Sequence, residues 1–318
     1  MPRTRRYIEP GRPYELILRV REGLPFRPGP LINTLLEGIM ARAQRDNKVT
    51  ICHYLWMSNH VHMIFIPHDP LSCVNFYQEI QKKITDTFKK LLGKRRLCLW
   101  EGDAVLAQIL DVRKAVERVA YLYANPARAN LVSSIENYPG ASSWDAFYHK
   151  DEEPKEVPWL QLPTIHKLPS LSLTRKVEEK ILSELKVKSV VGHSLQVKPR
   201  ALIEAFGIET DMRESIIEVI RSKELTAERV RRETKKTVKS RALLVQECIN
   251  APHLPKKRLG ENRIFVLSSC RELRISFINA IKIFSARCMN CYQMLRKGIE
   301  KIPWPMGAFR PWAPPLTS

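Results

Sequence analysis

The sequence has no uninterrupted apolar run approaching the length of about 18 residues that a transmembrane helix needs. Its first residues, from Met1 to Arg6, lead into polar, proline-containing sequence and not into the apolar core of a secretory signal peptide. These two absences argue against membrane insertion and secretion. We therefore expect a soluble protein of the cytoplasm.

Cysteine is sparse, and the chain contains an odd number of seven. Most are scattered within apolar segments, which is not the pattern of a disulfide framework. The close pair Cys288 and Cys291 has no second pair at zinc-ribbon spacing and lies in an apolar helical stretch. We interpret it as core packing, with a metal or redox role as the less favoured alternative. The sequence also shows no internal repeat.

Acidic residues are too few to balance the basic ones, with 33 Asp and Glu against 53 Lys and Arg, a net charge of +20. The length of 318 residues and the hydrophobic content of 44% suit a globular protein of one large or two modest domains. Such a basic excess predicts a polyanionic partner, either nucleic acid or an acidic membrane surface. Since no membrane segment is visible, we favour nucleic acid.

The most informative stretch is an apolar strand that contains two histidines, His60 and His62. Because side chains alternate along a strand, both imidazoles lie on one side, about 7 Å apart. A divalent metal can bridge that spacing. The alternative is that both are hydrogen-bonded core histidines, and the pair alone does not decide between the two.

The elements around this strand are predicted by hydrophobic periodicity. The prediction comprises a strand over 14–20, an amphipathic helix over 30–45, a hairpin of strands over 49–57 and 60–66, and a helix over 73–92. Lys82 and Lys83 begin a basic cluster along the polar face and the end of the last helix. This cluster is either a DNA-binding surface or a solvated helix face.

A further helix is predicted over about 111–124. Its spacing of about 100° per residue places Tyr123 in the buried stripe and turns Tyr121 outward with Arg118. Asn125 projects from the same face one turn after Tyr121, and Pro126 is expected to limit the helix. A phenol, a carboxamide and a cation therefore converge on one surface.

These motifs together resemble the single-tyrosine HUH transposases, and most closely the REP-associated tyrosine transposases. The resemblance covers about residues 1–148. The residues that carry it are Trp56-Met57-Ser58-Asn59-His60-Val61-His62, Trp100, Tyr121-Leu122-Tyr123-Ala124-Asn125-Pro126-Ala127-Arg128-Ala129-Asn130-Leu131-Val132, Tyr138-Pro139 and Ser142-Ser143. The chain departs from the family at Gly102-Asp103-Ala104, where members often carry an arginine followed by an aromatic residue, and in its long C-terminal region.

The resemblance implies a ferredoxin-like α+β domain with a central antiparallel sheet. It also implies that His60, His62 and Asn125 hold Mg²⁺ or Mn²⁺ and that Tyr121 attacks single-stranded or hairpin DNA. Attack would leave a 5′-phosphotyrosine and a free 3′ hydroxyl, from which strands can be rejoined. Arg118 and Lys114 are candidates to hold the DNA backbone, or are solvated helix charges.

The second half of the chain divides by composition. We expect a proline-rich linker over 149–172, a mostly helical basic domain over 173–300 and a proline-rich tail over 301–318. Between residues 221 and 241 nine Lys or Arg stand against three Glu, which predicts phosphate contact or a solvated helix. The DNA-binding candidates there are Arg231, Arg232, Lys235 and Lys236.

Helices are expected in this half over about 174–187, 198–206, 210–222, 226–249 and 268–298. The last is divisible near Ser285 into a possible helix-turn-helix, although no glycine marks the turn. In the tail, Trp304, Phe309 and Trp312 are candidates to pin the chain to a surface.

Three functions fit these observations. The favoured one is metal-dependent nicking and strand transfer on DNA, and the alternatives are a non-catalytic DNA-hairpin binder and a metal-dependent hydrolase that uses water. Tyr121 discriminates among them, because only strand transfer needs its hydroxyl. The chain is expected to act as a monomer or a homodimer.

Overall fold

The computed structural model of the chain describes residues 7–162, 175–188, 191–247, 249, 266–299 and 301–308. Parts of the predicted linker and tail, including Phe309 and Trp312, lie outside these residues. Among the described helices, none is both long enough and apolar enough to cross a membrane.

The first half forms a mixed α/β unit around a mostly antiparallel sheet. Its elements follow in the order β1 (Tyr14–Arg19), α1 (Pro30–Asp46), β2 (Val49–Met57), β3 (His60–Pro67), α2 (Pro70–Leu91) and β4 (Val105–Ile109). The strands lie in the order β2-β3-β1-β4, all antiparallel. This order of elements and strands is ferredoxin-like, so the predicted fold class is confirmed. Periodicity also predicted the four helix and hairpin elements closely.

The sheet is covered on both faces, which explains why its central strands are apolar throughout. On one face, Val61 and Met63 of β3 pack in a core with residues of α1 and α2. On the other face, Ile64 and Ile66 join a second core with residues of the next helix, α3 (Val112–Arg128). Because side chains alternate, His60 and His62 share the face of Ile64 and point toward α3.

The predicted end of α3 is wrong. Asp111 caps its start by accepting a hydrogen bond from the Lys114 backbone nitrogen. The helix then continues past Pro126 to Arg128. A proline cannot donate a backbone hydrogen bond, and this loss usually ends or kinks a helix. Pro126 lies in the last turn of α3, so only two further residues of the helix follow it. The helix closes at Asn130, whose φ is +57°.

The described residues from 144 onward are mainly helical and include three short strands that periodicity did not predict. The elements are α4 (Trp144–His149), β5 (Lys155–Pro158), α5 (Arg175–Lys188), β6 (Gly192–Leu195), α6 (Ala201–Glu204), α7 (Arg213–Glu233), α8 (Arg241–Gln246), β7 (Val266–Leu267) and α9 (Arg271–Arg296). Strands β5 and β6 pair with each other, and β7 extends the main sheet in parallel beside β4.

Two helix predictions in this half are corrected. The predicted break between residues 222 and 226 is absent, because α7 runs unbroken to Glu233, and the helix expected to reach 249 is instead the short α8. The predicted division near Ser285 is also absent, since α9 continues through it as one helix. A helix-turn-helix over 268–298 is therefore wrong.

Residues from both halves share the same cores. Leu182 and Leu185 of α5 pack in the core on the α1 and α2 face, and Ile216 and Ile220 of α7 pack in the core around α3. The predicted domain boundary at residue 148 stays a prediction. In the tail, Trp304 packs edge-on against Tyr292 of α9, with ring centroids 5.0 Å apart, which confirms that Trp304 contacts a surface.

Candidate active site

The two histidines of β3 lie side by side on the α3 face of the sheet. Their ring centroids are 5.0 Å apart and the rings meet nearly at right angles, at 77°. His62 is buried, with 4% of its surface exposed, whereas His60 is partly exposed at the end of the hairpin. The pair therefore opens toward solvent at one end.

Each imidazole is held through its Nδ1 atom. The Nδ1 atom of His60 lies 2.7 Å from Oδ1 of Asn59, and that of His62 lies 3.2 Å from Oε1 of Glu15. Because amide and carboxylate oxygens only accept hydrogen bonds, both Nδ1 atoms carry the proton in the neutral ring. The basic nitrogen of each ring is then Nε2. Metal-binding histidines are commonly fixed in this way.

Glu15 connects the histidines to α3. Arg118 donates to both of its carboxylate oxygens, from Nε at 2.7 Å and from a terminal nitrogen at 2.6 Å. Burial alone would raise the pKa of Glu15, but hydrogen bonds from His62 and Arg118 hold that pKa below its ordinary value. Burial likewise opposes the charge on Arg118, yet Glu15 raises the pKa of Arg118 above its ordinary value. Both groups are therefore charged.

Tyr121 lies beside this group. Its ring centroid is 5.8 Å from that of His62, and the guanidinium carbons of Arg118 and Arg128 lie 4.3 Å and 4.5 Å from it. The Tyr121 hydroxyl has no hydrogen-bond partner among the residues that the structure describes. Tyr123 is fully buried, as predicted. The two tyrosines thus differ in environment as the helical rotation requires.

Asn125 lies one turn after Tyr121 and is 9% exposed. Its Nδ2 atom is buried and has no hydrogen-bond partner within the described part of the chain. Most buried amides are satisfied, and Nδ2 only donates hydrogen bonds, so a ligand that completes it must supply an acceptor such as a phosphate oxygen and cannot be a metal ion. In the described residues, no group of three or more His, Cys, Asp or Glu is arranged to hold a metal. Asn125 as a third metal ligand, which would act through its amide oxygen, stays a prediction.

The predicted DNA-binding cations of the first half occupy different places. Arg118 lies beside Tyr121 but is paired with Glu15. Lys114 pairs with Glu117 on its own helix at 2.8 Å. Lys82 and Lys83 lie on α2, which packs on the opposite face of the sheet. They are not brought together with Tyr121.

The remaining predicted cations lie in the last turn of α7 or just after it, near the C-terminal end of α3. Arg231 is buried and donates to the Ala127 carbonyl at 2.6 Å, so it ties the end of α7 to the end of the tyrosine helix. Arg232 is exposed and pairs with Glu228. Lys235 and Lys236 follow directly and are exposed. The structure thus places two exposed lysines after the end of α7, where Arg231 joins it to α3.

Three residues that contact His60, His62 or Tyr121 were not predicted as site residues: Glu15, Asn59 and Arg128. Glu15 is a carboxylate within an otherwise apolar strand, and such a residue signals a buried partner. Asn59 was interpreted only as a turn residue. Arg128 lies seven residues after Tyr121, which is two helical turns, but the expected helix end at Pro126 concealed that spacing.

Comparison with known proteins gives limited results. No protein-family model matches the chain, and no curated protein matches its sequence. Among solved structures, a REP-associated tyrosine transposase bound to a REP hairpin is 18% identical, covering 55% of this chain and 96% of that one, with a TM-score of 0.39. A protein of Deinococcus radiodurans R1 proposed to be a transposase is 15% identical, covering 38% and 95%, with a TM-score of 0.27.

Proposed function

We propose that this protein cleaves and rejoins single-stranded or hairpin DNA through a covalent bond to Tyr121. The observation that supports the proposal best is the position of the Tyr121 ring, whose centroid is 5.8 Å from that of His62 and within 4.5 Å of two guanidinium carbons. An accessible phenol beside cations and two oriented imidazoles suits attack on a phosphodiester, whose charge must be stabilised. The basic composition of the chain suits a nucleic-acid substrate.

In the proposed reaction, the Tyr121 oxygen bonds to a DNA phosphorus and the bond from that phosphorus to the 3′ oxygen breaks. The phenol loses a proton overall, and the released 3′ hydroxyl gains one. The product is a 5′-phosphotyrosine. Because the ester conserves the energy of the broken bond, attack by a different 3′ hydroxyl joins two strands without ATP.

The surrounding residues prepare this geometry. Glu15 and Asn59 fix the protonated nitrogen of each histidine, and Arg118, held by Glu15, lies against the Tyr121 ring. We include in the proposal that His60, His62 and Asn125 hold Mg²⁺ or Mn²⁺, a neutral ligand set that binds such an ion loosely. A bound ion would stabilise negative charge on the phosphoryl oxygens. Lys235 and Lys236 are proposed to contact the DNA backbone.

The proposal is tested with single-stranded hairpin DNA from the flanks of the gene, labelled at either end and incubated with the full chain and Mg²⁺. We expect a product that survives denaturing electrophoresis, in which the 3′ label migrates with the protein and the 5′ label remains on a free fragment. Release of both fragments without an adduct would favour the hydrolase. Binding of the DNA without any cleavage would favour the non-catalytic binder.

Metal binding is tested independently of cleavage. We expect the double variant His60→Ala/His62→Ala to bind Mn²⁺ at least ~10-fold more weakly than the unaltered chain, because loss of two direct ligands exceeds the effect of losing a supporting partner. Free Mn²⁺ is measured by electron paramagnetic resonance. His68→Ala is the matched control, since His68 is exposed just after β3. Equal Mn²⁺ affinity in the double variant would contradict the proposed ligands.

A further inference from the structure

The Tyr121 ring contacts two arginines of its own helix. Arg118 precedes it by three residues and Arg128 follows it by seven, spacings that place all three on one side of a helix. Their guanidinium carbons are 4.3 Å and 4.5 Å from the ring centroid, within the range of cation–π contact. The two contacts have similar distances, but the two guanidinium groups differ in their exposure and in their charged partners.

Arg118 is a balanced and fixed charge. It donates two hydrogen bonds to the Glu15 carboxylate, and only 17% of its side chain is exposed. Its charge is therefore compensated by a buried anion, and part of its donor capacity is already used. An incoming phosphate would have to compete with Glu15 for this group.

Arg128 has neither restriction. It is exposed, and within the described part of the chain it has no carboxylate partner. A guanidinium presents a planar fork of donors that matches the oxygens of a phosphate. Arg128 is thus an uncompensated cation held against the ring of the proposed nucleophile.

We infer that Arg128 is the phosphate-binding arginine of the site and contacts the DNA phosphodiester that lies at Tyr121. The inference rests on the proposed function for the identity of the substrate. The contact with the ring keeps the guanidinium beside the phenol when no DNA is bound. The end of α3 is held in place at this point, because Arg231 donates a hydrogen bond to the carbonyl of Ala127, the residue immediately before Arg128.

The competing explanation is structural. A basic residue in the last turn of a helix interacts favourably with the helix dipole, and Arg128 occupies such a position. That role predicts a small loss of stability in Arg128→Ala and no change in how DNA affinity depends on salt. A phosphate contact predicts instead that Arg128→Ala changes how DNA affinity depends on salt, because each contact releases counterions from the DNA.

The test measures binding of fluorescein-labelled oligo(dT) and of the flanking hairpin to the full chain over a range of salt concentrations. For Arg128→Ala we expect weaker binding and a slope of log K against log salt that is shallower by ~0.7, the value for one phosphate contact on a single strand. Arg128→Lys should recover the slope because it restores the charge. Arg113→Ala is the matched control, an exposed arginine at the start of the same helix, and should leave the slope unchanged.

The covalent-adduct assay separates this inference from the proposed function. If Arg128→Ala lowers the slope but the unaltered chain forms no adduct, the phosphate contact stands and the transfer reaction is wrong. If the unaltered chain forms an adduct, and Arg128→Ala forms it equally fast with an unchanged slope, the reaction stands and the role of Arg128 is overturned. A slope lowered equally by Arg113→Ala would also overturn it.

Discussion

Tyr121→Phe is expected to abolish the covalent adduct, lowering its rate of formation by at least ~10⁴-fold, the scale on which loss of a nucleophile acts. The substitution removes only the hydroxyl, which has no partner among the described residues. The ring remains available for its contacts with His62 and the two arginines. We therefore expect the free energy of unfolding to change by less than about 0.5 kcal/mol and DNA affinity by less than about twofold.

Tyr123→Phe provides the control within the same helix. The Tyr123 hydroxyl lies 3.0 Å from Nδ1 of His53 and 2.9 Å from the Ser143 hydroxyl, all in the core. Its loss leaves buried groups unsatisfied and should destabilise the fold by about 1–3 kcal/mol while adduct formation persists below the new melting temperature. Cleavage that survives Tyr121→Phe would show that water, and not the phenol, is the nucleophile.

The contrast between the two tyrosines shows what sequence periodicity can predict. A rotation of about 100° per residue was enough to assign Tyr123 to the core and Tyr121 to the face of Arg118. The strands of the hairpin were equally visible, because long elements with consistent burial leave a repeated pattern. In these places the local sequence and the packing agree.

Two partners of the site were harder to predict, for different reasons. Glu15 meets Arg118 only after β1 has paired beside β3 and α3 has packed on that face. Arg128 was concealed by the general rule that proline ends a helix, which did not hold here because Pro126 lies in the last turn of α3. No spacing within one segment encodes the contact of Glu15 with Arg118, whereas the contact of Arg128 with Tyr121 follows from their spacing once α3 reaches Arg128.

The short strands were missed for a related reason. Strand β7 has two residues and β5 and β6 have four each, too few for any period to emerge. Pairing defines them, through the register of Gln108 with Val266 and of Lys155 with Leu195. The case of α9 is different, since a helix over 268–298 was predicted and only its possible division near Ser285 is wrong.

Glu178→Ala is expected to destabilise the protein by about 3–5 kcal/mol, because it leaves a buried cation without its counter-charge. The carboxylate of Glu178 and the guanidinium of Arg27 are both fully buried and 2.8 Å apart. Glu178 also accepts hydrogen bonds from the backbone nitrogens of Leu31 and Ile32, at the start of α1. Chemical denaturation measures the change, and the exposed Glu184→Ala on the same helix should alter stability by less than about 0.5 kcal/mol.

A substitution at Gly29 provides a second test of the contacts made by the Glu178 carboxylate. A Cβ atom at residue 29 would lie 2.4 Å from the Glu178 Oε1 atom, so Gly29→Ala must displace a group that three donors hold in place. The φ of Gly29 is 171°, an extended value that alanine also adopts, so the penalty comes from the collision alone. We expect each single variant to be destabilised and the pair to be non-additive, because the added methyl meets no carboxylate once Glu178 is alanine. Additive losses would show that Gly29 is required for another reason and that Glu178 does not act through this contact.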